Sequence, residues 1–220
     1  MKTFYLFDLD RTILDTEKAS AYLIGLVAQQ SPELATHLRT QVDVYNQNGT
    51  PFAIRDVIAE EVGEEVAAKL EAEFISGAHG QSLLLDGVDD LFAFALQAPE
   101  RDFGILTYGS VKGQTMKLVA TGLDAQKVMI TQQKHKGILM TEWKTDHGYQ
   151  LPAEFGGELV DELVFVDDRI FSFEGLPADV RGYWVANDLS LLDSVEHASN
   201  VRPVQTLREV IEHELQIIAN

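Results

Sequence analysis

The chain has 220 residues, 45% hydrophobic and 24% charged, enough to bury the core of one globular domain or of one domain carrying an insertion. Seventeen basic against 35 acidic side chains give a formal charge of −18. This disfavours nucleic acid and anionic lipid as partners, and it obliges any anionic substrate to find a locally positive or metal-filled pocket. The absence of cysteine excludes disulfides, thiolate zinc sites and cysteine nucleophiles.

Residues 3–7, TFYLF, form a compact apolar and aromatic run typical of a buried strand. The run is too short for a signal-peptide core and meets Asp8 and Asp10 at once, and the sequence has no run of about 18 apolar residues. The expectation is therefore a cytoplasmic protein with no membrane span. From residue 17 to 77 the pattern is helical, with Ala, Leu, Val and Glu at helical spacing over 21–29, 33–45, 52–62 and 64–74. Ser31-Pro32, Asn48-Gly49-Thr50-Pro51, Gly63 and Gly77 supply the breaks. After Asp86-Gly87 the style changes. Helix 88–96, strand 103–107, helix 111–120, strand 127–131, helix 136–143, strands 163–166 and 182–186 and an amphipathic helix 207–218 are expected. Strand–helix alternation predicts a parallel sheet with helices on both faces, here interrupted after its first strand by a helical insert. In the last helix Leu207, Val210, Ile211, Leu215 and Ile218 make an apolar stripe suited to core packing.

In such sheets the site lies beyond the carboxyl ends of the strands. Asp8 and Asp10 follow the first expected strand, Thr107 closes the second, Lys134 and Lys136 follow the third, and Asp167 and Asp168 close the fourth. The strand period of two puts Asp8 and Asp10 on one face if the strand conformation persists. Close carboxylates repel unless a cation lies between them, and an all-oxygen ligand set suits Mg²⁺. A single strand-end Asp serves equally as a helix cap or turn residue, but two acidic clusters at two strand ends of one sheet favour the metal. A carboxylate is also a nucleophile towards phosphorus: Asp8 would attack a phosphate ester, and Asp10 would protonate the leaving alcohol and then deprotonate the attacking water. Thr107, before the Tyr108-Gly109-Ser110 turn, suits a phosphoryl donor, and the balancing cation falls to Lys134 or Lys136.

These motifs, in this order, resemble the haloacid-dehalogenase-like (HAD) superfamily of phosphohydrolases over essentially the whole chain. Asp8-Leu9-Asp10-Arg11-Thr12 is similar to the family's D-x-D-x-T, Ile105-Leu106-Thr107-Tyr108-Gly109 to its apolar strand ending in Thr or Ser, and Val166-Asp167-Asp168 to its closing acidic pair. A lysine at the start of a later helix is the remaining motif, and Lys136 is preferred to Lys134 because it opens the helical stretch. The resemblance implies an α/β, Rossmann-like core over residues 1–14 and 84–220, and an inserted helical cap of the C1 class over 15–83. It implies Mg²⁺ held by Asp8, the backbone carbonyl of Asp10, Asp168 and Asp167. It also implies Asp8 as nucleophile, Asp10 as acid/base and Thr107, Gly109 and lysine as phosphoryl-binding groups. Asp10 argues against the dehalogenase branch, which lacks this second acid.

Many members of the family have Gly where this chain has Arg11. Arg11 would pair with a surface carboxylate or contact substrate, and Arg169 could neutralise the acidic pair. In the cap, Tyr45-Asn46-Gln47-Asn48, Arg55 and Gly77-Ala78-His79-Gly80 are candidate specificity or hinge elements. The histidines show no metal-ligand pair at helical spacing, and the P-loop, G-x-S-x-G and G-x-G-x-x-G motifs are absent. The expected function is an Mg²⁺-dependent phosphatase acting on a small-molecule phosphate ester through an aspartyl-phosphate. Alternatives are a phosphomutase of the same superfamily and a non-catalytic HAD-fold binding or regulatory module.

Overall fold

The structure is a computed structural model that describes residues 1–47, 53–186 and 197–219. In chain order it contains β1 (Thr3–Phe7), α1 (Thr16–Gln30), α2 (Pro32–Gln47), α3 (Ile54–Val62), α4 (Glu64–Ala78) and α5 (Val88–Ala95). There follow β2 (Arg101–Tyr108), α6 (Val111–Thr121), β3 (Val128–Thr131), α7 (Lys136–Trp143), β4 (Lys144–Thr145), β5 (Gly148–Gln150) and β6 (Leu159–Val160). The chain ends with β7 (Glu162–Asp167), a 3-10 turn Ile170–Phe173, β8 (Arg181–Val185), β9 (Val201–Val204) and α8 (Leu207–Ile218).

The main sheet has the order β3-β2-β1-β7-β8-β9. The pairings of β1 with β2 and β7, of β7 with β8 and of β8 with β9 are parallel. This is the expected α/β, Rossmann-like core. Every residue of β1 is buried, as a central strand covered on both faces requires. With β2 on one side and β7 on the other, β1 marks the point where strand order reverses, where open α/β sheets hold their ligands. Phe7 is level with both Ile105 and Val166, and the backbone N of Asp8 donates to Val166 O at 2.9 Å, carrying the ladder one step past β1.

The chain divides into two compact units. The first comprises Met1–Ile13, Leu85–Thr107 and Gln126–Asn220; the second comprises Leu14–Leu84 and Tyr108–Ala125. The core of the first is built on Phe4, Leu6, Leu106, Leu163, Phe165 and Trp184, with Met140, Tyr149 and Phe155 joining from α7 and the segment after it. Within the second, α1 packs on α2 and α4, and α3 on α4. Helix α6 is part of this helical unit, packed against α3 and α4, so the compact units do not follow the chain divisions at 14–15 and 83–84 alone.

Arg55 is not offered to a ligand. It is buried on α3, donating to Glu71 Oε2 through Nε at 3.0 Å and to Glu64 Oε2 through Nη1 at 2.8 Å. Tyr45, Asn46 and Gln47 fall in α2, where their side chains lie outside the described residues, as does Asn48. Gly77 and Ala78 complete α4 rather than breaking it, and His79 caps its end, exposed.

Two parts of the first unit have no counterpart in the sequence reading. One is the antiparallel sheet β4-β5-β6, in which Tyr149 is buried and donates to Asp179 Oδ1 at 2.7 Å. The other is β9, whose Pro203 is tolerated because β9 is a sheet edge. Helix α8 also departs from its expected stripe. Leu207 and Val210 are buried, but Leu215 and Ile218 are 49% and 57% exposed. The buried position in their place is Glu214, which accepts from Tyr183 Oη at 2.7 Å, Tyr5 Oη at 3.0 Å and Arg181 Nε at 2.9 Å. Among the described residues no helix is long and apolar enough to cross a membrane.

Candidate active site

Strand conformation ends at Phe7, so the alternation that would align Asp8 with Asp10 does not continue. The chain instead turns: Ile13 N donates to Leu9 O at 3.1 Å, and Arg11 takes a left-handed conformation with φ 61°, the one non-glycine residue to do so among those described. The turn carries Thr12 back to Asp8, where its buried hydroxyl donates to Oδ2 at 3.3 Å. Thr12 closes the D-x-D-x-T motif, and its hydroxyl four residues after the first acid is the sequence signal for this contact.

Asp167 ends β7 fully buried, its Oδ1 accepting from the backbone N of Arg169 at 2.7 Å. Asp168 follows, with Arg169 Nε 3.3 Å from Oδ2 and its backbone O accepting from Trp184 Nε1 at 3.0 Å. Lys136 is the first residue of α7 and is 2% exposed. Its Nζ donates to Asp8 Oδ1 and, at 2.8 Å, to Asp167 Oδ2. The geometry distinguishes the two lysines: Lys134 Nζ lies 4.3 Å over the ring of Phe171 instead.

One carboxylate oxygen from each of Asp8, Asp167 and Asp168 falls within 4.8 Å of the others. Asp10 is outside this carboxylate group; it is half-buried, and its charge adds to the field on Asp8. Thr107 is fully buried at the end of β2, and its Oγ1 has no hydrogen-bond partner among the described residues. A buried hydroxyl without a partner is costly unless something binds it. Gly109 lies in the second unit, in the turn before α6, which Ser110 caps by accepting from Gly113 N at 3.0 Å.

Burial pushes the Asp8 carboxyl up to about 7; Asp167 and Asp10 add to this and the Lys136 ammonium opposes it. Asp168 is likewise raised well above the usual carboxylate range by burial and by its Asp167 and Asp8 neighbours, with Arg169 and Arg11 opposing. Burial alone would lower Lys136, but Asp167 and Asp8 outweigh it and hold the ammonium above its ordinary range. Lys136 thus serves Asp8 and Asp167 together while Arg169 faces Asp168, and the three clustered carboxylates keep a surplus of negative charge that a further cation would relieve. Clustered hard oxygen donors fit a divalent metal, and Mg²⁺ or Ca²⁺ suits them better than a soft ion. Only with a divalent cation bound would such an acidic centre attract and polarise an anionic ester.

No protein-family profile matches the chain, and no curated protein matches it in sequence. Solved structures do match over nearly its full length. A haloacid-dehalogenase-like hydrolase from Burkholderia xenovorans LB400 aligns with TM-score 0.64 and 17% identity over 96% of this chain and 98% of its own. The HAD-hydrolase YfnB from Bacillus subtilis, solved bound to magnesium, aligns with TM-score 0.55 and 16% identity over 96% and 98%. A family IA, variant 3 HAD hydrolase from Entamoeba histolytica aligns with TM-score 0.54 and 15% identity over the whole of both chains. With the strand order and the acidic strand ends already described, these likenesses show that the chain has the fold of the HAD superfamily.

Proposed function

We propose that the protein is a divalent-metal-dependent phosphohydrolase acting on a small phosphorylated molecule through an aspartyl-phosphate on Asp8. The observation that carries the reading is Lys136 buried between Asp8 and Asp167, with Asp168 completing a compact carboxylate group at adjacent strand ends. Solved relatives of the same fold are hydrolases, and one was solved with magnesium.

On this reading Asp8, Asp167 and Asp168, with the backbone carbonyl of Asp10, hold Mg²⁺. The bound ion would supply positive charge to the phosphoryl oxygens and to the crowded carboxylates. Asp8 attacks phosphorus; the new Asp8 O–P bond forms as the ester P–O bond breaks, and Asp10 gives its proton to the departing alcohol. Asp10 then takes a proton from water as the water oxygen attacks phosphorus, and the Asp8 O–P bond breaks to release phosphate. Lys136 keeps Asp8 oriented and offsets charge on the transferring group. Thr107 gives its unsatisfied hydroxyl to a phosphoryl oxygen. Arg11, half-buried in a left-handed turn, adds a small positive field at Asp168. The inserted helices would serve as the cap that selects the leaving group.

The test is phosphate release from a panel of phosphorylated metabolites, with Mg²⁺ and with EDTA, using Asp8→Asn as control. Metal-dependent release that disappears in a folded Asp8→Asn variant supports the reading. Release that survives in Asp8→Asn, or that ignores EDTA, overturns it.

A further inference from the structure

Lys136 is held by more than its two carboxylates. The residue before it, His135, caps α7, and its carbonyl accepts from Ile138 N at 3.1 Å. Its side chain makes no bond within the helix. It reaches instead across to the loop that continues from Asp167 and Asp168: Nδ1 lies 3.1 Å from Phe171 O and 2.9 Å from Glu174 Oε2. Both of those groups are acceptors, so the proton sits on Nδ1. The imidazole also packs edge-on against the Phe171 ring, centroids 6.3 Å apart. On the other side His135 N donates to Gln133 Oε1 at 3.2 Å, and Gln133 N to Thr131 Oγ1 at 2.9 Å, which ties the imidazole-bearing turn to the end of β3.

The residue after Lys136 makes the same approach. A Cβ on Gly137 would come within 2.6 Å of Leu176 N and 2.7 Å of Glu174 O, so only glycine lets α7 lie this close to the loop. One turn further on, Thr141 Oγ1 donates to Gly175 O at 2.7 Å. Lys136 therefore stands between two fixed neighbours, His135 bonded to the loop and Gly137 pressed on it. The same loop leads directly from Asp167 and Asp168.

We infer that His135 is a positioning residue for the candidate site, clamping the first turn of α7 to the Phe171–Glu174 loop so that the Lys136 ammonium falls between Asp8 and Asp167. A loose first turn would let Lys136 swing while the carboxylates stay put. Misplacement of a charged group by an ångström is costly in a preorganised site even where folding is little affected. His135 is one-third exposed and outside the apolar core, so its loss leaves that core packed. The inference concerns placement of Lys136; its kinetic consequence rests on the phosphohydrolase reading.

The test compares His135→Ala and His135→Asn, since the Asn side-chain amide can reproduce the Nδ1 donor. In protein labelled with ¹⁵N-lysine, the buried Lys136 ammonium should give a slowly exchanging signal, assigned by its loss in Lys136→Ala. That signal is expected in the wild type and His135→Asn and is expected to broaden or vanish in His135→Ala. With para-nitrophenyl phosphate and Mg²⁺, His135→Ala should lower kcat by about 10- to 100-fold with KM little changed, and His135→Asn should recover most of it. An unaltered Lys136 signal in His135→Ala overturns the inference. So does equal loss of kcat in both variants together with a matching loss of Tm, the mark of a structural role alone. If the wild type hydrolyses no phosphate ester, the functional reading fails and the lysine signal decides the placement of Lys136 by itself.

Discussion

Thr12 Oγ1 donates to Asp8 Oδ2 at 3.3 Å, so with Lys136 on Oδ1 both oxygens of the carboxylate are held. Thr12→Val keeps the shape of the side chain and removes the donor. A hydrogen bond to a charged acceptor contributes on the order of 1.5 kcal/mol, which corresponds to about tenfold in kcat. Steady-state kinetics beside a melting curve will show whether kcat falls while Tm holds.

The raised pKa of Asp8 gives the metal-free protein a distinct pH profile. The folded protein holds this proton to about pH 7, against 3.8 for the ordinary carboxyl. Between these values the folded state binds more protons than the unfolded chain, so this group's contribution to stability falls as pH rises. Above pH 7 Asp8 is charged in a buried space where Lys136 is shared with Asp167, and a bound divalent cation would offset the excess. Mg²⁺ should therefore raise Tm more at pH 8 than at pH 5. In EDTA at pH 8, Asp8→Asn should melt above the wild type. Calorimetry at the two pH values, with and without metal, measures both differences.

The two lysines of the β3–α7 connection should separate cleanly. Lys136→Ala removes the ammonium shared by Asp8 and Asp167 and leaves their charges unpaired in a buried space. Activity should fall by at least about a hundredfold. Lys134→Ala removes a cation over an aromatic ring, worth about 0.5–1 kcal/mol at a surface, and activity should stay within a few-fold of wild type. Equal effects in a side-by-side assay would contradict the assignment of Lys136.

The Glu214 network predicts a large loss of stability away from the chemistry. Its carboxylate is fully buried and satisfies Tyr5, Tyr183 and Arg181 together. Glu214→Ala strands the phenols and leaves Arg181 with Glu162 alone, at a cost of about 3–5 kcal/mol. Denaturant unfolding measures this, and kcat of the folded fraction should not change.

The site was legible where chemistry coincides with strand ends. TFYLF before Asp8 and LVFV before Asp167 are apolar runs that stop at an acid, and they form β1 and most of β7. Lys136 opens α7 as its helical pattern suggested. The relation of Asp10 to Asp8 was not legible, because a period of two assumes continuing strand and the chain turns through Arg11 instead. The small β4-β5-β6 sheet was missed because strands of two or three residues carry no measurable period. Pro203 concealed β9, since a proline inside an apolar run argues against a strand unless the strand is known to be an edge. Helix α8 shows the limit of hydrophobic patterning: a carboxylate with enough donors occupies the buried face better than the leucine one residue on.

Asp8 and Asp167 leave neighbouring strands one step beyond the Phe7–Val166 pair, joined there by the Asp8 N to Val166 O bond. The separation of their backbones is then the interstrand repeat of about 4.8 Å. The main-chain ladder acts as a fixed gauge for the width of the acidic gap, and side-chain substitutions elsewhere on the sheet cannot retune it. Lys136, delivered from a helix by two contacts of its own, is the adjustable member. Variation in how this centre is set should accordingly accumulate in the turn around residues 133–137, while the spacing of the two strand ends stays constant.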